Sequence, residues 1–239
     1  MGKDAKRFLN GITTSNMKLQ KEIILTCWLS PKGNLRSILE IHVKNDKLFV
    51  IVLEGDIIEI KKYCEDMIFP SDDVSIGTNY QILRLQQVTE KDSWRKFSSK
   101  IINEINLKKY YEENKIEILN ENDLKVWKKM QAFPVYKKEI DGNNNPIELG
   151  LTDLIDFNKG CYLGQETMAR MRKISTLKQE IRFWISINNK NSKLTDKKIF
   201  LDQNKNKVVG YITSYVSAKS NQVCGIAMLK KNYFENKNK

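Results

Sequence analysis

One thiol in this chain stands in a setting that can make it reactive. Cys161 lies in the run Lys159, Gly160, Cys161, Tyr162, Leu163, Gly164, Gln165, Glu166 (KGCYLGQE). Gly160 lets a backbone approach closely, Gly164 marks a turn, and the residues from Gln165 onward can open a helix. A lysine ammonium and a helix N-terminus each favour the thiolate of a cysteine placed beside them. Such a sulfur could act as nucleophile, sulfur carrier or transient metal ligand. The same residues also suit a purely structural loop in which Gly160 and Gly164 are only turn residues, and spacing alone leaves both readings open.

Other chemistries lack their residues. His42 is the sole histidine and sits between Ile41 and Val43 in a strand pattern, so a Ser-His-Asp triad or a histidine zinc site has one residue to draw on. Cys27, Cys64 and Cys224 fall on strands or an apolar helix face, where a packed core thiol is expected. The four cysteines form no CxxC pair and are not spaced as cluster ligands. No glycine-rich phosphate loop is present.

The elements that must position Cys161 follow from the pattern. Asp4 is placed to cap a short helix carrying Phe8 and Leu9, with Gly11 as its stop. Ile23 to Leu29 and Leu35 to Val43 read as strands joined by the turn at Pro31, Lys32, Gly33 and Asn34, with a third strand from Leu48 to Leu53. Asp56 caps a helix whose apolar face is Ile57, Ile60, Cys64, Met67 and Ile68. Tyr80 to Leu85 reads as a strand, and Trp94, Phe97, Ile101 and Ile105 as one face of a second helix. DGNNNP, at Asp141 to Pro146, is a loop, and Thr152 is placed to cap a short helix leading into the cysteine block. From Gln179 onward strands predominate: Ile181 to Ile187, Ile199 to Leu201, Val208 to Val216 and Gln222 to Leu229. The class is α+β, with a mixed front unit of residues 1–175 that ends in the cysteine block and an all-β unit of residues 176–239.

Composition bounds the function. With 239 residues, 41% of them hydrophobic, the chain can bury a core. The longest apolar run, LFVIVL at Leu48 to Leu53, is far short of the roughly 20 residues a membrane helix needs. No secretory signal is visible, so the thiols are expected reduced and the protein cytoplasmic. The net charge of +12 draws polyanions. Only seven of the 41 basic residues are Arg, and A/T-rich codons supply Lys, Asn and Ile together, so direct nucleic-acid binding is not expected.

The block KGCYLGQE followed by Ala169 and Arg170 resembles the motif of the YgfZ-type folate-binding proteins, paralogues of the glycine-cleavage T-protein (aminomethyltransferase). GKDAKRFLNGITTSN, LSPKGNL, MQAFP, PIELGL, VVGYITSYV and CGIAML resemble other parts of that family, and the likeness is weakest between Gly77 and Leu124. The resemblance implies subdomains arranged in a ring around a folate channel, with a C-terminal antiparallel β-barrel. It implies a tetrahydrofolate-binding accessory protein for assembly or repair of iron–sulfur clusters in client enzymes, including radical enzymes that thiolate tRNA. The functional cysteine would be Cys161, with Lys159, Gly160, Tyr162, Gly164, Gln165 and Glu166 around it. Two departures stand out. The strand Asn34 to Leu39 lacks the acidic pair of the T-protein, which argues against aminomethyl transfer, the alternative activity. Lys129 and Gln131 replace an Arg and a pterin-binding Glu, and Gln131 could still offer one acceptor and two donors to a pterin edge.

Overall fold

The computed structural model describes residues 1–19, 21–44, 47–78, 83–86, 93–95, 99–102, 111–113, 115, 117–174, 177–186, 197–201, 207–218 and 222–233. Helix α1 (Ala5–Ile12) buries Ala5, Leu9 and Ile12, which the helical repeat brings to one face. Asp4 stands at its N-cap position, but its carboxylate accepts from Asp73 N at 3.0 Å instead of from the helix's own amides. Gly11 does not stop the helix. It ends at Thr13, whose extended backbone bridges to Trp28 and whose hydroxyl donates to Leu9 O at 2.7 Å.

Strands β1 (Ile23–Leu29), β2 (Leu35–Lys44) and β3 (Lys47–Glu54) form an antiparallel sheet in that order. The β1–β2 turn closes with Ser30 N donating to Asn34 O and Gly33 N to Ser30 O, both at 2.8 Å. Helix α2 (Ile57–Met67) is capped as the sequence indicates, Asp56 accepting from Ile58 N and Glu59 N. One sheet face packs Ile24, Ile41, Trp28 and Leu39 against α1 and α2 through Leu9, Ile12 and Ile60. The opposite face, through Cys27, Leu35 and Ile38, joins the main core.

The next stretch departs from the pattern. The expected strand from Tyr80 is β4 (Leu83–Gln86), its first three residues lying outside the described set. The expected helix through Trp94 and Ile101 is not formed by those two residues. Ser99–Ile102 is strand β5, pairing Ile101 with Arg84, while Trp94 lies in a turn with its ring edge-on to Phe133, centroids 4.6 Å apart. Phe97 and Ile105 lie outside the described residues. A four-residue spacing of apolar side chains fits a helix, but strand pairing and a buried turn residue satisfy it equally. Helix α3 (Glu121–Met130) has no counterpart in the sequence reading. Asn120 caps it, accepting from Asp123 N, and acidic residues open it while Lys128 and Lys129 close it, in keeping with the helix dipole.

A 3₁₀ turn (Thr152–Leu154) leads toward the cysteine block, and Thr152 is its first residue, not its cap. Helix α4 (Gln165–Ile174) follows Gly164. The C-terminal strands β6 (Gln179–Ser186), β7 (Lys198–Phe200), β8 (Val208–Ser217) and β9 (Val223–Lys230) form one antiparallel sheet in the order β6-β9-β8-β7. Among the described residues no pairing joins β6 to β7, so closure into a barrel is not shown. Also among them, no helix is long and apolar enough to cross a membrane. A single core cluster takes Cys27, Leu35 and Ile38 from the first sheet, Leu149, Leu151, Tyr162 and Met168 from the middle, and Ile181, Ile226 and Met228 from the last.

A buried polar relay ties α3 to that last sheet. β8 shifts register between Ile212 and Ser214, and this bulge lets two consecutive hydroxyls reach one oxygen. Thr213 Oγ1 donates to Glu139 Oε1, Ser214 Oγ donates to the same atom at 2.6 Å, and Lys129 Nζ donates to Ser214 Oγ at 2.5 Å. Val135 N donates to Glu139 Oε2 at 2.9 Å. Glu139 is fully buried.

Candidate functional site

Lys159, Tyr162, Leu163, Gly164 and Gln165 of the cysteine block are held in place, while Gly160, Cys161 and Glu166 are exposed. Lys159 is 7% exposed, and its Nζ donates to Asn10 O at 2.6 Å and to Thr13 O and Ser15 O at 2.8 Å each. The ammonium therefore closes the C-terminal end of α1, where the dipole favours a cation, and its three donors are directed at carbonyls, not at the sulfur. Burial draws its pKa down to about 8, with Asp156 acting the other way. Leu163 N donates to Gly11 O at 3.1 Å, Gln165 N to Tyr162 O at 3.1 Å, and Gln165 Nε2 to Lys159 O at 3.4 Å. Tyr162 is buried under Lys159, whose Nζ lies 5.2 Å from the ring centroid, and burial pushes its phenol up to about 12.

Gly164 has φ +81, and a Cβ there would stand 2.9 Å from Ser30 O and 3.1 Å from Gly33 Cα. Gly33 has φ +80, and a Cβ there would stand 2.8 Å from Thr167 Cβ. The two glycines thus dock the start of α4 onto the β1–β2 turn, an approach no side chain permits. Gly160 meets nothing within 4 Å, so its lack of a side chain leaves open space beside the thiol. Glu166 is exposed in the first turn of α4. Cys161, between these anchors, is exposed.

The remaining thiols are protected. Cys27 is fully buried and its pKa is pushed up by burial to about 12; Cys64 is half-buried and pushed up to about 11; Cys224 is buried and also raised. Since the thiolate is the nucleophile, a maleimide at pH 7.5 is expected to label Cys161 first, with Cys64 slower and Cys27 and Cys224 labelled only after denaturation. Peptide mapping by mass spectrometry checks the order, and rapid labelling of Cys27 would contradict this arrangement.

A cavity of about 540 Å³ opens beside the segment that leads into the block. Its wall includes Asp153 through Asn158, Ser15, Asn16, Lys21, Leu25, Glu40, Arg95 and Arg172. Cys161, Lys159, Tyr162 and Gln131 are not part of this wall. Gln131 ends α3, and its Oε1 accepts from Trp94 N at 3.2 Å. Ser37, on the strand lacking the acidic pair, is fully buried, and Arg36 lies 3.7 Å from Glu59.

Sequence reasoning missed the wall's charged residues. Glu40 is 1% exposed; Arg84 Nε and Nη2 donate to its two oxygens at 2.9 and 2.6 Å, and His42 Nε2 lies 2.6 Å from Oε1. A carboxylate inside the apolar run Ile38, Leu39, Glu40, Ile41 was the available signal, because a buried carboxylate needs partners. Arg95 donates to Gly150 O at 2.8 Å, while its Nε is buried without a hydrogen-bond partner, 3.6 Å from Asp153 Oδ2. The Arg172 guanidinium stacks 4.6 Å from the Phe157 ring centroid.

No family model matches the chain. It is 34% identical over 98 residues to a chloroplastic candidate transferase of Arabidopsis thaliana, covering 40% of this chain and 21% of that protein. It is 42% identical over 53 residues to the tRNA-modifying protein YgfZ of Colwellia psychrerythraea, covering 21% of this chain and 16% of that one. The matched stretches therefore span 21% and 16% of those relatives' lengths. In fold the chain is similar to the glycine cleavage system aminomethyltransferase T of Bartonella henselae, with a TM-score of 0.70 over 97% of this chain and 75% of that one, at 12% identity. The chain therefore has the fold of the glycine cleavage T-protein and a local likeness in sequence to YgfZ.

Proposed function

We propose that this protein is a tetrahydrofolate-binding accessory factor for the assembly or repair of iron–sulfur clusters in client enzymes, acting through Cys161. The observation that carries the reading is the contrast within the cysteine block: Lys159 and Gly164 on either side are locked by hydrogen bonds and close packing while the thiol between them is exposed. The likeness to YgfZ and the T-protein fold, both from folate-binding families, suggest a folate-related role.

The cavity suits such a ligand. Its volume lies within the roughly 300–1,000 Å³ of small-molecule sites. Glu40, Asp153 and Asp156 offer acceptors for the N–H edge of a pterin, Arg95 has an unpartnered buried Nε, and Arg172 and Lys21 offer charge to a glutamate tail. A bound reduced pterin supplies one-carbon and reducing chemistry. The chain's own carboxylates and guanidinium groups along the wall would orient it. A transferase reading would draw on Glu40 as its carboxylate, but both oxygens are engaged by Arg84, which disfavours proton abstraction.

The test is complementation. In a strain lacking the gene, a [4Fe–4S] enzyme such as a tRNA-thiolating radical enzyme is assayed under oxidative stress. Wild type is expected to restore activity, and Cys161→Ala to fail at equal protein level and unchanged melting temperature. Full rescue by Cys161→Ala defeats the reading. Titration with tetrahydrofolate, followed by tryptophan fluorescence, tests the ligand separately.

A further inference from the structure

The basic excess is segregated. Residues 176–239 hold 13 of the 41 Lys and Arg but only 4 of the 29 Asp and Glu, so nine of the twelve net charges fall in the last 64 residues. A/T-rich codons would raise lysine along the whole chain. They do not remove carboxylates from one module. Among the described residues of that module Glu180 is the only acid, and it is paired with Arg182 at 2.5 Å.

The same module presents flat side chains in register. Residues opposite one another in an antiparallel ladder share a face. Trp184 lies opposite Gly225, which lies opposite Tyr215; the neighbouring row is Arg182, Ala227 and Ile212. The alternate row of Phe183, Ile226 and Ser214 points the other way, where Ile226 enters the core and Ser214 meets Lys129 of α3. The Trp184–Tyr215 row thus faces away from α3. Gly225 makes room for the indole, since a Cβ there would stand 2.9 Å from Trp184 Cε2 and Cζ2. Tyr215 is 50% exposed.

We infer that this face of the C-terminal sheet binds single-stranded nucleic acid, with bases stacking on the exposed Tyr215 ring, the half-buried Trp184 indole packed on Gly225 in the same row, and the lysine-rich module neutralising the backbone. Every base has a π-face, so stacking tolerates sequence, and phosphate neutralisation makes affinity depend on salt. An acidic protein would use the charge and leave the ring row without a role. A duplex hides its base faces. The inference is independent of Cys161 and of the folate cavity.

The test uses the full chain and fluorescence anisotropy with a 12-mer oligo-uridine, its DNA equivalent, an RNA duplex and polyglutamate, from 50 to 200 mM KCl. Both single strands are expected to bind more tightly than the duplex and polyglutamate, with affinity falling steeply as salt rises. Tyr215→Ala is expected to weaken single-strand binding by about tenfold while leaving the salt slope unchanged. Binding of polyglutamate or duplex as tight as single strands, or an unaltered affinity in Tyr215→Ala, overturns the inference and leaves only a general polyanion surface. Tyr215→Phe, which keeps the ring, is expected to bind as wild type does, and its failure to do so counts against stacking.

Discussion

Glu139→Ala is expected to lower the unfolding free energy by about 3–5 kcal/mol, the scale of breaking a buried charged network by removing one partner. In a protein of this length that corresponds to a melting temperature lower by about 10 °C. The carboxylate accepts from Thr213, Ser214 and Val135 N, and so connects α3 and the loop after it to the bulge of β8. Without it, the buried Ser214 hydroxyl and Val135 N lose their acceptor, while Thr213 Oγ1 keeps Ile226 O at 3.1 Å. Lys129, whose pKa is drawn down by burial with Glu139 the foremost charge opposing this, would keep the Ser214 hydroxyl and the lesser influence of Glu54. Glu139→Gln keeps an acceptor and is expected to lose less. Urea unfolding at neutral pH measures both, and a loss below about 1 kcal/mol for alanine would show that the relay does not hold the sheet.

Lys159→Met is expected to cost about 3 kcal/mol, because three carbonyl oxygens lose their donor and each unmet buried group costs about 1–3 kcal/mol, partly relieved by water. Methionine keeps much of the apolar stem against Tyr162, so the change isolates the ammonium. The loss should be local as well as global. Leu163 N, which bonds Gly11 O, is expected to exchange its proton faster than amides of β2. Unchanged stability together with slower maleimide labelling of Cys161 would reverse the assignment, showing that Lys159 acts on the thiol and not on the helix end.

The legible parts of this fold were those where local chemistry decides. The turn at Pro31 to Asn34, the Asp56 cap and the helix after Gly164 depend on residues a few positions apart, and each was found in place. The helix through Trp94 and Ile101 failed because apolar spacing does not distinguish a helix face from a strand pair and a buried turn. Helix α3 was hidden because its apolar residues are few among charges, and its Asn120 cap was the only strong signal. In the site, the identity of the cysteine block was readable, but the direction of Lys159 was not. A lysine two residues from a thiol can point either way, and here the free carbonyls of α1 lie within its reach. The cavity's Glu40 and Arg84 meet across elements distant in sequence, which no local pattern reports.

The contact between Gly33 and Gly164 has a consequence for any attempt to recombine this protein with its relatives. A hairpin turn and a cysteine loop that are remote in the chain form one mechanical joint with no space for a β-carbon on either side. A chimera that brings a residue with a β-carbon to either position would wedge the joint open and displace the thiol, even where every other contact is retained. The two segments should be inherited, and transplanted, as a pair.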